Sequence, residues 1–95
     1  MRISSNYKEF FKKYWLNILP ESKVFLFGSR TDDNKKGGDI DLLILSKDKI
    51  SIDQKLNFIS KFYMQFSEQK IDVTTFTFAE KTPFKNIALL TAIEL

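Results

Sequence analysis

The amino-acid sequence predicts an α+β domain with α/β-like alternation, a small mixed sheet of three to four strands packed with helices. Three observations carry that expectation. Apolar residues recur with helical period in three segments, each opened by a capping signal, and three short runs read as strands, two of them apolar and one rich in β-branched and aromatic residues. The two kinds alternate along the chain in the order helix, strand, short helix or loop, strand, helix, strand, helix.

In the first segment Tyr7, Phe10, Phe11, Tyr14, Trp15, Ile18 and Leu19 follow the i, i+3, i+4, i+7 spacing of an amphipathic helix. Asn6 with Glu9 matches a capping box, and Pro20, which lacks an N–H and clashes with the preceding turn, stops the helix. In "FFKKYW" the aromatics share one face and the lysines take the other. That stretch reads as core packing rather than as an aromatic and basic nucleic-acid surface. Val24 to Phe27 predicts a short buried strand ended by Gly28-Ser29, and Ile40 to Leu45 predicts a second, with a polar loop between them.

Ser51 with Gln54 is another capping box, after which Ile52, Leu56, Ile59, Phe62, Tyr63 and Phe66 continue a helical face. Ile71 to Phe78, "IDVTTFTF", predicts a third strand. Thr82 as N-cap and Pro83 at the first helical position then open a last helix that runs to near Leu95. Phe84, Ile87, Ala88, Leu89, Leu90, Ala92, Ile93 and Leu95 make this helix apolar around more of its circumference than one core contact requires. A surface for a partner or an oligomer, and plain burial against the sheet, both account for that pattern.

At 95 residues the chain predicts one domain, residues 1–95, and its 43% hydrophobic content excludes a wholly disordered chain. No apolar run approaches the roughly 18–20 residues of a membrane span, and "MRISSNYKEFFKKYW" is amphipathic rather than signal-like. A cytoplasmic protein with no membrane association is the expectation. The absence of Cys excludes a disulfide framework, a zinc–thiolate site and a cysteine nucleophile. The absence of His excludes serine–histidine triads within the chain and nearly every zinc, copper or haem site. Carboxylates are the strong metal ligands that remain, and oxygen-only sites suit Mg²⁺ or Mn²⁺. A net charge of +3 is a mild bias towards anionic partners; direct binding to nucleic acid is not expected from it.

One stretch concentrates the chemistry: "VFLFGSRTDDNKKGGDIDLLIL", Val24 to Leu45, sets two aspartates inside an apolar run. Ionised carboxylates are rarely buried unless paired or bound to a metal. Strand alternation makes Asp39 and Asp41 project together while Ile40 and Leu42 point the other way. Like charges that close repel, and a divalent ion relieves them. Asp72, between Ile71 and Val73, would bring a third carboxylate from a neighbouring strand, a set that suits two-metal phosphoryl transfer. Gly28 lets a phosphate approach the backbone and Ser29 adds a hydroxyl donor. The bland alternatives are a strand-edge position for Asp39 after Gly37-Gly38 and a pair with Lys70 for Asp72. Neither an EF-hand nor a P-loop fits: Leu43 stands where a calcium loop beginning at Asp32 needs Glu, and Asp33-Asn34 where a P-loop counted from Gly28 needs Gly-Lys.

Strand, Gly-Ser, spacer, Asp-x-Asp: in "FLFGSRTDDNKKGGDIDLLIL" the chain resembles the minimal nucleotidyltransferases of the DNA polymerase beta superfamily. The likeness runs from the first strand through the Asp72 strand, and "KNIALLTAIEL" is loosely similar to the closing helix of small bacterial members. The spacer between Ser29 and Asp39 is one residue shorter than is usual there and lacks the common Ala after Arg30. The resemblance implies the nucleotidyltransferase fold, Asp39 and Asp41 as Mg²⁺ ligands, and Asp72 as third metal carboxylate and base. It implies that Gly28 and Ser29 hold the nucleoside triphosphate, with Arg30 and, more remotely, Lys35 or Lys36 neutralising it. In small bacterial members it further implies a HEPN-domain RNase toxin as partner, ATP as substrate and AMPylation of a toxin tyrosine by the antitoxin. Two other readings stay open: an inactive module of the same fold that sequesters a partner, and a subunit that modifies RNA or a small molecule.

Overall fold

In a computed structural model, residues 3–28, 39–66 and 69–95 are described. Helix α1 spans Ser5–Ile18. Its N-cap is Ser4, whose hydroxyl accepts the Tyr7 N–H at 3.2 Å, so the helix starts ahead of the Asn6–Glu9 pair. It closes at Leu19, where the Leu19 N–H donates to the Trp15 carbonyl at 2.7 Å and Pro20 follows. Strands β1 (Lys23–Phe27) and β2 (Ile40–Ser46) follow, then α2 (Ile52–Gln65), β3 (Ile71–Thr77), α3 (Pro83–Thr91) and β4 (Ile93–Glu94). The sheet is mixed, in the order β3-β2-β1-β4. β1 is antiparallel to β2 and β4, and β2 is parallel to β3 through the α2 crossover.

Strand alternation sorts the side chains into two layers. Val24 and Leu26, Ile40, Leu42 and Ile44, and Ile71 and Val73 face α1 and α2, where Phe11, Trp15, Phe58 and Phe62 complete the main core. On the opposite face Leu43 and Leu45 pack with Phe25, Phe27 and Phe76 against Ala88 and Leu89 of α3. Central β2 is therefore buried on both sides along most of its length, which matches its nearly unbroken apolar sequence.

Two expectations are corrected. The capping box at Ser51 and Gln54 forms in both directions, yet the buried face of α2 is set by Phe58 and Phe62, while Ile52 and Leu56 are 75% and 56% exposed. The cause is the aromatic surface of α1: Phe58 lies with ring centroids 5.1 Å from Trp15 and 6.0 Å from Phe10, and Phe62 lies 5.3 Å from Phe11. Aromatic packing thus turns the helix away from Ile52 and Leu56, while Ile59 and Phe66 stay packed against the core as expected. The last helix stops at Thr91 instead of continuing to near Leu95, because Ala92 is extended and the chain runs on as β4. Phe25 and Leu26 then face Glu94 and Ile93, and the Leu95 N–H donates to the Val24 carbonyl at 2.9 Å. A longer helix would leave those edge groups of β1 unpaired.

The connection from β3 to α3 is tied by a buried lysine. Lys85 Nζ donates to the carbonyls of Thr77, Phe78 and Glu80 at 3.0, 2.9 and 2.6 Å, using all three ammonium hydrogens. Thr82 caps the helix by accepting the Lys85 N–H at 3.2 Å, with Pro83 at the first helical position as the sequence predicts.

Candidate active site

The acids of the central stretch lie where the apolar cover of β2 runs out. Asp39 immediately precedes β2, and Asp41 is its second residue. By alternation both share a face with Leu43 and Leu45, the α3 side. In the sheet register Asp41 stands between Phe27 of β1 and Asp72 of β3. The parallel pairing therefore brings Asp72 beside Asp41 from 31 residues further along the chain. Backbone bonds fasten that end of the sheet: Ile40 N–H donates to the Lys70 carbonyl at 3.1 Å, and Ile71 N–H to the Tyr63 hydroxyl of α2 at 3.2 Å.

Gly28 closes the same corner. It has φ +76°, a left-handed backbone that favours glycine, and a Cβ added there would stand 2.5 Å from Asp41 Oδ2. The missing side chain is the space the Asp41 carboxylate occupies. Ser29 and Arg30, and likewise Lys35 and Lys36, lie outside the described residues.

The carboxyl of Asp41 is pushed above its ordinary value of 3.8, first by burial, then by the charges of Asp72 and Asp39. A half-buried carboxylate facing two others is an arrangement that a cation stabilises. Among the described residues no three acids are placed to hold one ion between them. The donor set nonetheless fits a hard divalent ion in kind, since the acids that meet at this corner among the described residues offer carboxylate oxygens and the chain has neither His nor Cys.

Lys70 departs from the sequence reading. Its Nζ lies 3.7 Å from Asp39 Oδ2, so its recorded ion-pair partner is Asp39 and not Asp72. The signal lies in the parallel register: with Ile40 opposite Ile71, the residue before each strand faces its counterpart, and those residues are Asp39 and Lys70. Register is not available until the two strands are known to pair.

The chain matches the family model described as Polymerase beta, Nucleotidyltransferase over residues 6–95. A comparison with curated protein sequences gave no match. Among solved structures, it is similar to a chain of a double aspartate-to-glutamate mutant of the toxin–antitoxin MntA-HpeT, with TM-score 0.72, 14% identity, and 97% of this chain and 71% of that one covered. Tri-AMPylated Shewanella oneidensis HEPN toxin in complex with MNT antitoxin matches with TM-score 0.70 and 15% identity, over 97% of this chain and 71% of that one. A toxin–antitoxin with AMP-PNP matches with TM-score 0.73 and 16% identity, over 92% of this chain and 70% of that one. At such identities the structures speak for the fold, and the family model, which spans nearly the whole chain, speaks for descent. The chain belongs to the Polymerase beta, Nucleotidyltransferase family.

Proposed function

We propose that the protein moves AMP from ATP to a hydroxyl of a partner HEPN-type toxin, a tyrosine by family resemblance, and so acts as an antitoxin. The carrying observation is the register that sets Asp72 beside Asp41 at the corner closed by Gly28, with Asp39 two residues earlier. In this reading Asp39 and Asp41, joined by Asp72, hold Mg²⁺ or Mn²⁺. When bound, that ion supplies neutralisation of the triphosphate and of the departing pyrophosphate. Gly28 with Ser29 and Arg30 seats the triphosphate, Gly28 by leaving the backbone open to it. Asp72, exposed at the end of edge strand β3, takes the proton of the attacking hydroxyl. The hydroxyl oxygen forms a bond to the α-phosphorus, the bond to the bridging oxygen breaks, and pyrophosphate leaves.

The likeness to toxin–antitoxin structures, one with an AMPylated toxin and one with AMP-PNP, supports the partner and the nucleotide. We take residues 1–95 to act as one catalytic domain. Among the described residues no helix is long and apolar enough to cross a membrane. The test is transfer of label from α-phosphate-labelled ATP to the neighbouring gene's product, with Mg²⁺ present. Asp39→Asn and Asp41→Asn should each abolish transfer, and Asp72→Asn should lower it at least about tenfold. Transfer that survives the first two changes would sink the proposed site. The short spacer before Asp39 favours one second reading, an inactive module, and tight binding of the partner without any transfer would be its signature.

A further inference from the structure

A cation is anchored at the mouth of the acidic corner. The Lys70 carbonyl accepts two hydrogen bonds, from Ile40 N–H at 3.1 Å and from the Gln69 side-chain amide at 3.0 Å. The Lys70 backbone is therefore fixed against the entry of β2, and its side chain starts from a set point. Its ammonium stands 3.7 Å from Asp39 Oδ2, yet the lysine and aspartate side chains are 68% and 42% exposed. An ion pair so open to water contributes little to stability and dissociates easily. Lys70 is thus held at its base and only loosely paired at its tip.

We propose that Lys70 is a displaceable counter-ion of Asp39, one that opposes free divalent ions and passes to the triphosphate when metal and nucleotide arrive together. This rests on the reading that Asp39 is a metal ligand. An ammonium and a divalent ion compete for the same carboxylate lone pairs. A free ion arriving alone has to break the pair and leaves a positive charge stranded beside another. A metal–nucleotide complex brings its own anion. An ion held by Asp39 would bring its phosphate to the carboxylate that the Lys70 ammonium already reaches, 3.7 Å away. A flexible stem carrying a point charge suits this exchange better than the rigid fork of an arginine. The consequence is selectivity: the site discriminates against bare metal and in favour of the metal–triphosphate.

The effect has opposite signs for the two ligands, which a structural role would not produce. Mn²⁺ alone, followed by the electron paramagnetic resonance of the free ion, and Mn²⁺ with a non-hydrolysable ATP analogue are titrated into wild type, Lys70→Met, Lys70→Arg and Asp39→Asn. Lys70→Met should bind Mn²⁺ alone about two- to fivefold more tightly and the nucleotide complex about two- to fivefold more weakly. Lys70→Arg should restore the wild-type order, at least in part. Affinities that move together, or that stay fixed in Lys70→Met while Asp39→Asn loses Mn²⁺, overturn the role of Lys70 and leave the metal site standing. Mn²⁺ binding unaffected by Asp39→Asn overturns the metal site, and the Lys70 proposal with it.

Discussion

Gly28→Ala tests the corner of the sheet most directly, because two separable costs are visible in the geometry. The backbone there has φ +76°, and a left-handed conformation costs an alanine ~1–2 kcal/mol whatever surrounds it. The added Cβ would also lie 2.5 Å from Asp41 Oδ2 and 3.3 Å from its Cγ, closer than real carbon contacts allow. Relief means driving the carboxylate off its rotamer, worth ~0.5–1.5 kcal/mol. A central value of ~2.5 kcal/mol for the two together lowers Tm by ~10–20 °C for a domain of this size. In an Asp41→Ala background only the backbone cost remains, so a double-mutant cycle of thermal unfolding should show a coupling of ~0.5–1.5 kcal/mol. Displacement of the carboxylate should also lower nucleotide transfer ~10²-fold. A Gly28→Ala cost that is the same with and without the Asp41 side chain refutes the contact. A wild-type Tm refutes the strained backbone as well.

Phe58→Ala should cost ~3–5 kcal/mol, because it empties the centre of the aromatic core, whereas Leu56→Ala, two residues away on the exposed side of α2, should stay within ~0.5 kcal/mol; comparable losses in chemical denaturation would mean that α2 packs as its aliphatic pattern suggests. Lys85→Met keeps the stem and strands three carbonyls, which predicts ~2–3 kcal/mol of destabilisation and faster amide exchange in the turn from Thr77 to Glu80. Asp41 gives a pH signature. Its folded value is raised above 3.8, so the folded state holds a proton that the unfolded chain has already lost. Without metal, stability should therefore fall as pH rises from 3.8 through the raised value, and then level off. Asp41→Asn removes that penalty: melted in chelator, it should exceed wild type in Tm at neutral pH, with the gap closing towards pH 3.8. A gap that widens on acidification would reverse the sign of the shift.

The parts of the fold legible in the sequence are those with local causes. The Ser51–Gln54 box, Thr82-Pro83, the Pro20 stop and the β-branched run from Ile71 depend on neighbours within a turn or a strand, and each marks its element correctly. The readings that failed needed tertiary partners. Ile52 and Leu56 have the right spacing for a buried face, and Phe62 of that same face is buried, but Phe58 meets the rings of α1 and takes the place expected of the two aliphatics. Thr91 to Leu95 carries a pattern that extends a helix, and the unpaired edge of β1 claims it as strand. At the candidate site, Asp39 and Asp41 were legible by alternation alone. The nearness of Asp72 depends on which strands pair, which alternation within one strand does not specify. The Lys70–Asp39 contact followed only once the parallel register was known.

The same register explains why charges are tolerable inside so apolar a strand. Leu43 and Leu45 are covered by α3, whose Ala88 and Leu89 pack on them, while Ile40, Leu42 and Ile44 are covered by α1 and α2. Ahead of Leu43, on the α3 side, the row consists of Phe27, Asp41 and Asp72, and β1 is followed there by Gly28. A leucine in place of Asp41 would gain burial on one flank and meet a carboxylate on the other. An aspartate keeps part of its surface in water and can share a cation with its neighbour. Burial enough to raise its proton affinity, and exposure enough to admit an ion, come from one position at the end of a central strand. The sheet thus supplies the rigidity that a site needs while leaving its open corner to the chemistry.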